Sequence, residues 1–115
     1  MLSETIKSGD WKREKHVPVI EYERKGDMIE VEVSVGKEVP HPNTLEHHIA
    51  WIELYFKPED GQFPIMVGRV AFTAHGDSMT EPKVRFYLKT KKKGKLMALS
   101  YCNIHGLWEN EVEVE

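Results

Sequence analysis

Cysteine is nearly absent, with Cys102 the only one in 115 residues. A single thiol excludes an internal disulfide and any four-cysteine zinc or iron site. An unpaired cysteine also fits a reducing compartment. Long apolar runs are missing too, and none approaches the ~20 residues that a membrane-spanning helix requires. The first residues, Met1-Leu2-Ser3-Glu4-Thr5-Ile6-Lys7, lack the apolar stretch of a secretory signal. The expectation is a cytoplasmic protein with no membrane segment. An excess of either charge is lacking as well. Sixteen Lys and Arg stand against 19 Asp and Glu, a net charge of -3, which is not the basic balance of a nucleic-acid or membrane surface. Glutamine appears once, as Gln62, while lysine and glutamate dominate the charged set, a balance seen on thermophile surfaces.

Helical periodicity is also scarce; alternation takes its place. Met28 to Val35 sets Ile29, Val31, Val33 and Val35 on one face, the period of a half-buried strand. The C-terminal run does the same, with Trp108, Asn110, Val112 and Val114 against Glu109, Glu111, Glu113 and Glu115. Val84, Phe86 and Leu88 form a third inward set, and Ala50, Ile52, Leu54 and Phe56 a fourth. Less regular runs cover 19–23, 66–74 and 96–102. Lys25-Gly26-Asp27, Pro58-Glu59-Asp60-Gly61 and Lys93-Gly94 supply turn signals between them. The pattern predicts an all-β chain: an immunoglobulin-like β-sandwich of about seven strands, in one domain spanning 1–115. The segment from Pro40 to His47 is not strand-like. Pro42 and Asn43, with Glu46 three residues on, predict a single capped helical turn in a loop carrying two histidines.

Chemistry concentrates in three places. Cys102-Asn103-Ile104-His105-Gly106-Leu107-Trp108 puts a thiol and an imidazole within reach of one metal across a tight loop. His16 lies in Glu14-Lys15-His16-Val17-Pro18, and His41 and His47 in His41-Pro42-Asn43-Thr44-Leu45-Glu46-His47. His16, His41, His47, Cys102 and His105 are thus five candidate ligands. Five donors overfill the tetrahedron of a structural zinc. A blue-copper site wants a methionine shortly after its last histidine, and none follows His105. A facial-triad iron site uses a carboxylate and no thiolate. A five-coordinate centre with four imidazoles around the metal and a thiolate on its axis remains.

These motifs, spread over nearly the whole chain, resemble superoxide reductase in its short one-iron form, neelaredoxin, within the desulfoferrodoxin family. The resemblance implies an immunoglobulin-like sandwich and one mononuclear non-heme iron cycling between Fe2+ and Fe3+. It also implies one-electron reduction of superoxide to hydrogen peroxide without release of oxygen. His16, His41, His47 and His105 would be equatorial ligands and Cys102 the axial one. Glu14 would match a glutamate that takes the sixth position in the oxidised state, and Lys15 a lysine beside the open position. A rubredoxin-like electron donor and a homotetramer are implied as partners, with no nucleic acid and no membrane. The second, four-cysteine iron centre of the family's longer members is excluded by the single cysteine. The loop 74–82 looks shorter than in archaeal relatives.

Two other readings stay open on residues alone. The metal could only shuttle electrons without superoxide turnover, or it could be purely structural. His48, next to His47, and His75, before Gly76, read as structural. The run Lys89-Thr90-Lys91-Lys92-Lys93-Gly94-Lys95 reads as a solvated turn, with docking of an acidic electron donor as its functional alternative. Trp11, Trp51 and Trp108 read as core or rim packing, Trp108 also as a screen beside the metal loop.

Overall fold

Alternating sequence becomes seven antiparallel strands. The computed structural model describes all 115 residues. The strands are β1 (Pro18–Lys25), β2 (Met28–Val35), β3 (Ile49–Pro58), β4 (Ile65–Ala71), β5 (Lys83–Lys89), β6 (Gly94–Cys102) and β7 (Gly106–Val114), preceded by one short 3-10 turn at Leu2–Glu4. They form a three-stranded sheet ordered β1-β2-β5 and a four-stranded sheet ordered β4-β3-β6-β7. The chain crosses between sheets after β2, β4 and β5, as in an immunoglobulin-type sandwich.

Both sheets contribute to one core. Ile29, Val31, Val33 and Val35 of β2 are buried against Ile52, Leu54 and Phe56 of β3 and Leu96 and Ala98 of β6. Burying an aliphatic or aromatic side chain contributes about 1.5–3 kcal/mol before entropy is counted. The sandwich is therefore held by its apolar faces, and a metal is not needed to build them.

Two local expectations change. No helical turn forms in residues 40–47. Asn43 caps nothing; its Oδ1 accepts the Ile49 amide N–H at 2.7 Å, fixing where β3 begins. Ala50, expected to point inward, is half-buried, and Ile49 takes the core position instead. A register irregularity between Ile49 and Trp51 in the β3–β6 pairing causes this shift. Such a bulge slips the alternation by one residue, which a strict period of two cannot anticipate.

Candidate metal centre

The ends of the strands set the position of the site. Cys102 closes β6 and pairs with Ile49, the first residue of β3, and with Gly106, the first of β7. His105 lies in the three-residue turn between β6 and β7, where Gly106 adopts φ +81 to close the hairpin. His16 stands two residues before β1, and His41 and His47 lie in the loop between β2 and β3. All five candidate ligands thus gather at one end of the sandwich.

That loop is tied down residue by residue. The Thr44 amide donates to the His47 carbonyl at 2.9 Å, and the His47 amide donates to Thr44 Oγ1 at 3.1 Å. His48 turns away, and its Nδ1–H donates to the Thr44 carbonyl at 3.0 Å, so its structural reading agrees with the geometry. Asn103 clamps the two loops together: it accepts the His48 amide at 2.8 Å and donates to the Glu46 carbonyl at 3.0 Å. Gly36 has φ +89, and a Cβ there would collide with the His41 backbone nitrogen. Only glycine lets the strand end approach this histidine so closely.

The four imidazoles form a ring. Centroids are 4.8 Å apart for His16–His41, 4.5 Å for His41–His47, 5.0 Å for His47–His105 and 4.6 Å for His105–His16. The His16–His47 diagonal is 6.0 Å. His105 Nδ1 lies 3.1 Å from His16 Nε2 and 3.3 Å from His47 Nε2. Adjacent nitrogens sharing one divalent metal at about 2.1 Å stand about 3 Å apart, so these contacts have the spacing of ligands around a common centre. Cys102 Sγ lies 3.7 Å from both His41 Nε2 and His105 Nδ1. The ligand atoms of His16, His41, His47 and Cys102 all lie within 4.8 Å of one another. The thiol is fully buried and accepts the His105 amide N–H at 3.4 Å.

Two of the outer nitrogens are occupied as well. His41 Nδ1–H donates to the Pro42 carbonyl at 2.5 Å. His16 Nδ1–H donates to Glu14 Oε1 at 2.6 Å. Such partners fix the tautomer, so that Nε2 faces the centre with a free lone pair. Burial holds His16, His41 and His47 below the ordinary histidine range, His41 to about 4. These rings are therefore neutral at neutral pH, which is the ligating form. Trp108 stacks on His16 with centroids 4.9 Å apart and planes at 18°, and its Nε1–H donates to the His105 carbonyl at 3.1 Å. Its packing role is thus specific: one indole braces two of the histidines.

Glu14 and Lys15 reach the same end by different routes. The Glu14 carboxylate sits behind His16, bonded to its outer nitrogen, and the hydrogen bond from that ring holds it below the usual carboxylate range. Lys15 is half-buried, forms no ion pair, and its charge depresses the proton affinity of His16, His41 and His47. His75 lies elsewhere, 3.3 Å from Thr80 Oγ1. The lysine run sits in the β5–β6 turn, at the other end of β6 from Cys102, about 27 Å away for a strand of this length. A donor docked on it would stand a full strand from the thiol, so the solvated-turn reading prevails. Sequence reasoning missed Asn43, Thr44 and Asn103. Asn43 was read as a cap instead of a brace, and Asn103, between a candidate ligand and a glycine-closed turn, also carried a visible signal, because asparagine bonds readily to nearby backbone in turns.

An immunoglobulin-type sandwich with four imidazoles and one thiol gathered at the strand ends has the makings of a metal-binding protein, and His16, His41, His47 and Cys102 could hold the ion. The donor set, soft sulfur with several imidazoles, suits iron. The chain belongs to the desulfoferrodoxin family, whose model matches residues 8–111. It is 79% identical over 115 residues to a superoxide reductase of Pyrococcus abyssi, with all of both chains covered. The two thus have the same length, so the loop 74–82 is not shortened relative to that protein, whereas the match to a superoxide reductase of Pyrococcus furiosus, 68% identical with all of both chains covered, runs over 124 positions against the 115 residues here. It is 46% identical to a neelaredoxin of Megalodesulfovibrio gigas, over 98% of this chain and 96% of the relative. Its fold superposes with TM-score 0.90 on the superoxide reductase (neelaredoxin) of Archaeoglobus fulgidus in the reduced form. That pair is 56% identical, with 96% of this chain and 98% of the other covered.

Proposed function

We propose that this chain, as one iron-binding domain over 1–115, reduces superoxide to hydrogen peroxide without making oxygen. The observation that carries the reading is the ring of four imidazoles with the buried thiol of Cys102 against it. His16, His41, His47, His105 and Cys102 would hold one iron. Iron bound there would supply the single electron by cycling between Fe2+ and Fe3+, with a reduced rubredoxin-like donor as the partner that would restore it. The residues do the rest. Neutral imidazoles add no negative charge, so the loaded centre favours an anion. With iron held there, the Cys102 thiolate would donate electron density to it, the same lever by which thiolate ligation tunes haem. Lys15 places a cation beside the cluster and draws an anionic substrate toward it. Glu14 orients His16 through Nδ1, and serving as a sixth ligand would require its carboxylate to leave that outer nitrogen and swing toward the centre. His105 is exposed and His47 half-buried, leaving an approach wide enough for a diatomic anion.

The reading includes a cytoplasmic location and a homotetramer. No helix is long and apolar enough to cross a membrane. The decisive experiment mixes the reduced, iron-loaded protein with a superoxide pulse while peroxide and oxygen are followed. Peroxide without oxygen is expected. Both products together mark a dismutase, and neither product marks an electron-transfer module; either outcome overturns the proposal.

A further inference from the structure

Trp11 is a large apolar side chain in a charged turn, and neither the core nor the metal cluster uses it. It is half-buried, while Asp10, Lys12 and Arg13 around it are exposed. The segment is fixed at both ends. Upstream, the Lys7 amide donates to the Leu107 carbonyl of β7 at 3.1 Å, and Ser8 Oγ–H donates to the Glu109 carbonyl at 2.7 Å. Downstream, His16 is buried in the cluster. Between them the chain turns on Asp10. Its carbonyl accepts the Arg13 and Glu14 amides, each at 2.9 Å, and its carboxylate accepts the Lys12 amide at 3.0 Å. These bonds shape the turn, but no hydrogen bond or ion pair joins Asp10, Trp11, Lys12 or Arg13 to another segment. A turn tied only to itself opens easily.

Trp11 supplies the missing tie. The ammonium of Lys37 lies 5.7 Å from the centre of the indole, and that of Lys12 lies 5.7 Å away as well. Both are within the roughly 6 Å over which a ring face attracts a cation. Lys12 belongs to the turn, so its contact adds no outside anchor. Lys37 does. It follows Gly36, whose close approach to His41 fixes the start of the β2–β3 loop, and its ammonium is paired with the Glu21 carboxylate on β1. Glu21, Lys37 and Trp11 thus run in a line from strand to loop to turn. We infer that Trp11 is a positioning residue: clamped by Lys37, it holds the turn that carries Lys15 against the loop that carries His41 and His47.

The consequence is electrostatic. Lys15 is half-buried, and its place follows that of the turn. Attraction between charges falls with distance and is screened over about 8–10 Å. A lysine that wanders with a loose turn therefore steers an anion less than one held beside the metal. This consequence rests on the superoxide reaction proposed above; the clamp itself does not.

The test uses the full-length, iron-loaded protein. Trp11→Ala alters no charge, so any change in steering must come from where the existing charges stand. Lys12, Arg13 and Lys15 also make the turn a target for trypsin, and the exposed Lys91, Lys92 and Lys93 of the β5–β6 turn provide an internal reference. Relative to that reference, trypsin should cut the turn of Trp11→Ala about ten-fold faster than that of the wild type. Trp11→Phe keeps a ring face and should stay near the wild type. The visible band should keep its intensity in both variants, showing that the cluster is filled. The second-order reaction of Trp11→Ala with superoxide should slow several-fold and lose part of its dependence on ionic strength. Adding Trp11→Ala to Lys15→Ala should slow the reaction no further, because residues that act through one another are not additive. Unchanged cleavage of the turn in Trp11→Ala overturns the clamp. Additive rate losses overturn its action through Lys15. If the turn opens in Trp11→Ala but Lys15→Ala reacts at the wild-type rate, the clamp stands and the steering reading is what fails.

Discussion

The two ends of β6 make a natural comparison. At one end, Cys102 sits among four imidazoles, of which His16 and His41 are buried and have their outer nitrogens hydrogen-bonded. At the other, Lys89, Lys91, Lys92 and Lys93 are exposed around the β5–β6 turn. There the organising group is Arg24, which donates to the Thr90 carbonyl at 2.8 Å, the Lys92 carbonyl at 2.6 Å and the Glu115 carbonyl at 3.1 Å. Both ends are dense in ionisable groups. Only one desolvates them and turns them toward a shared point. Charge density alone therefore says little about chemistry, and convergence of desolvated donors says much.

The hardest test of that contrast removes one organising group from each end. Cys102→Ser should abolish the visible band of the oxidised protein and its reaction with superoxide. Serine is a poor, protonated ligand that cannot donate as a thiolate does. The fold should persist, because the remaining core residues are contributed by both sheets. Arg24→Ala should do the opposite. It loses hydrogen bonds from a charged donor, worth about 1–3 kcal/mol, and should lower the denaturation midpoint while the spectrum stays unchanged. A Cys102→Ser protein that keeps the band, or an Arg24→Ala protein that loses it, would erase the distinction between the ends.

Acid should act on the metal end first. In the unfolded chain the imidazoles take protons near pH 6.5, whereas burial keeps His41 unprotonated down to about 4, and His16 and His47 are lowered in the same direction. Between those limits the unfolded chain binds more protons, so stability falls as pH drops from about 6.5 toward about 4 and is flat above. Denaturant midpoints of the metal-free protein measure this directly. A flat profile across that window would show that the rings are not held neutral. Iron competes with the same protons and should move the loss to lower pH.

Most of the sandwich was legible in the sequence because strict alternation, as in Met28 to Val35, admits one structure. Ile49 and Asn43 were not. A bulge slips the period by one residue, and an asparagine after proline signals a cap and a backbone brace equally well. The ligand types were legible because one cysteine and several histidines leave few metal chemistries open. Their convergence was not, since His16 and His105 are 89 residues apart and meet only through sheet topology. Glu14 stood out in the sequence by its place beside His16, but its bond to the outer nitrogen of that ring depends on the path of the loop before β1.

Steering by charge gives a smaller effect and a cleaner control. Lys15→Ala should slow the second-order reaction with superoxide by about ten-fold and flatten its dependence on ionic strength. Lys15→Arg should keep most of the rate, because charge is the property used. Lys91→Ala removes the same charge from the far end, about 27 Å from the thiol, several screening lengths away at ordinary salt. It should change neither quantity. Equal effects from both alanine variants would mean that net charge, not position, governs the encounter.

The subtlest change is Glu14→Ala. The carboxylate is partly exposed and contributes no core, so stability should move by no more than about 1 kcal/mol. His16 stays braced by Trp108 and keeps Nε2 toward the centre, which leaves the first encounter with superoxide nearly as fast as in the wild type. What changes is the electron density of the ring. A carboxylate accepting Nδ1–H makes the imidazole a stronger donor, and its loss should shift the visible band of the oxidised protein and alter its response to added small anions. Glu14→Gln keeps an acceptor oxygen without the charge and should fall between the two. Glu113→Ala, which removes a carboxylate from Lys95 at the far end, should leave the band where it is. If Glu14→Ala has an unchanged oxidised spectrum and an unchanged anion response, then Glu14 neither tunes His16 nor reaches the metal. Its short hydrogen bond would then be as local in its consequences as the ion pairs at the opposite end.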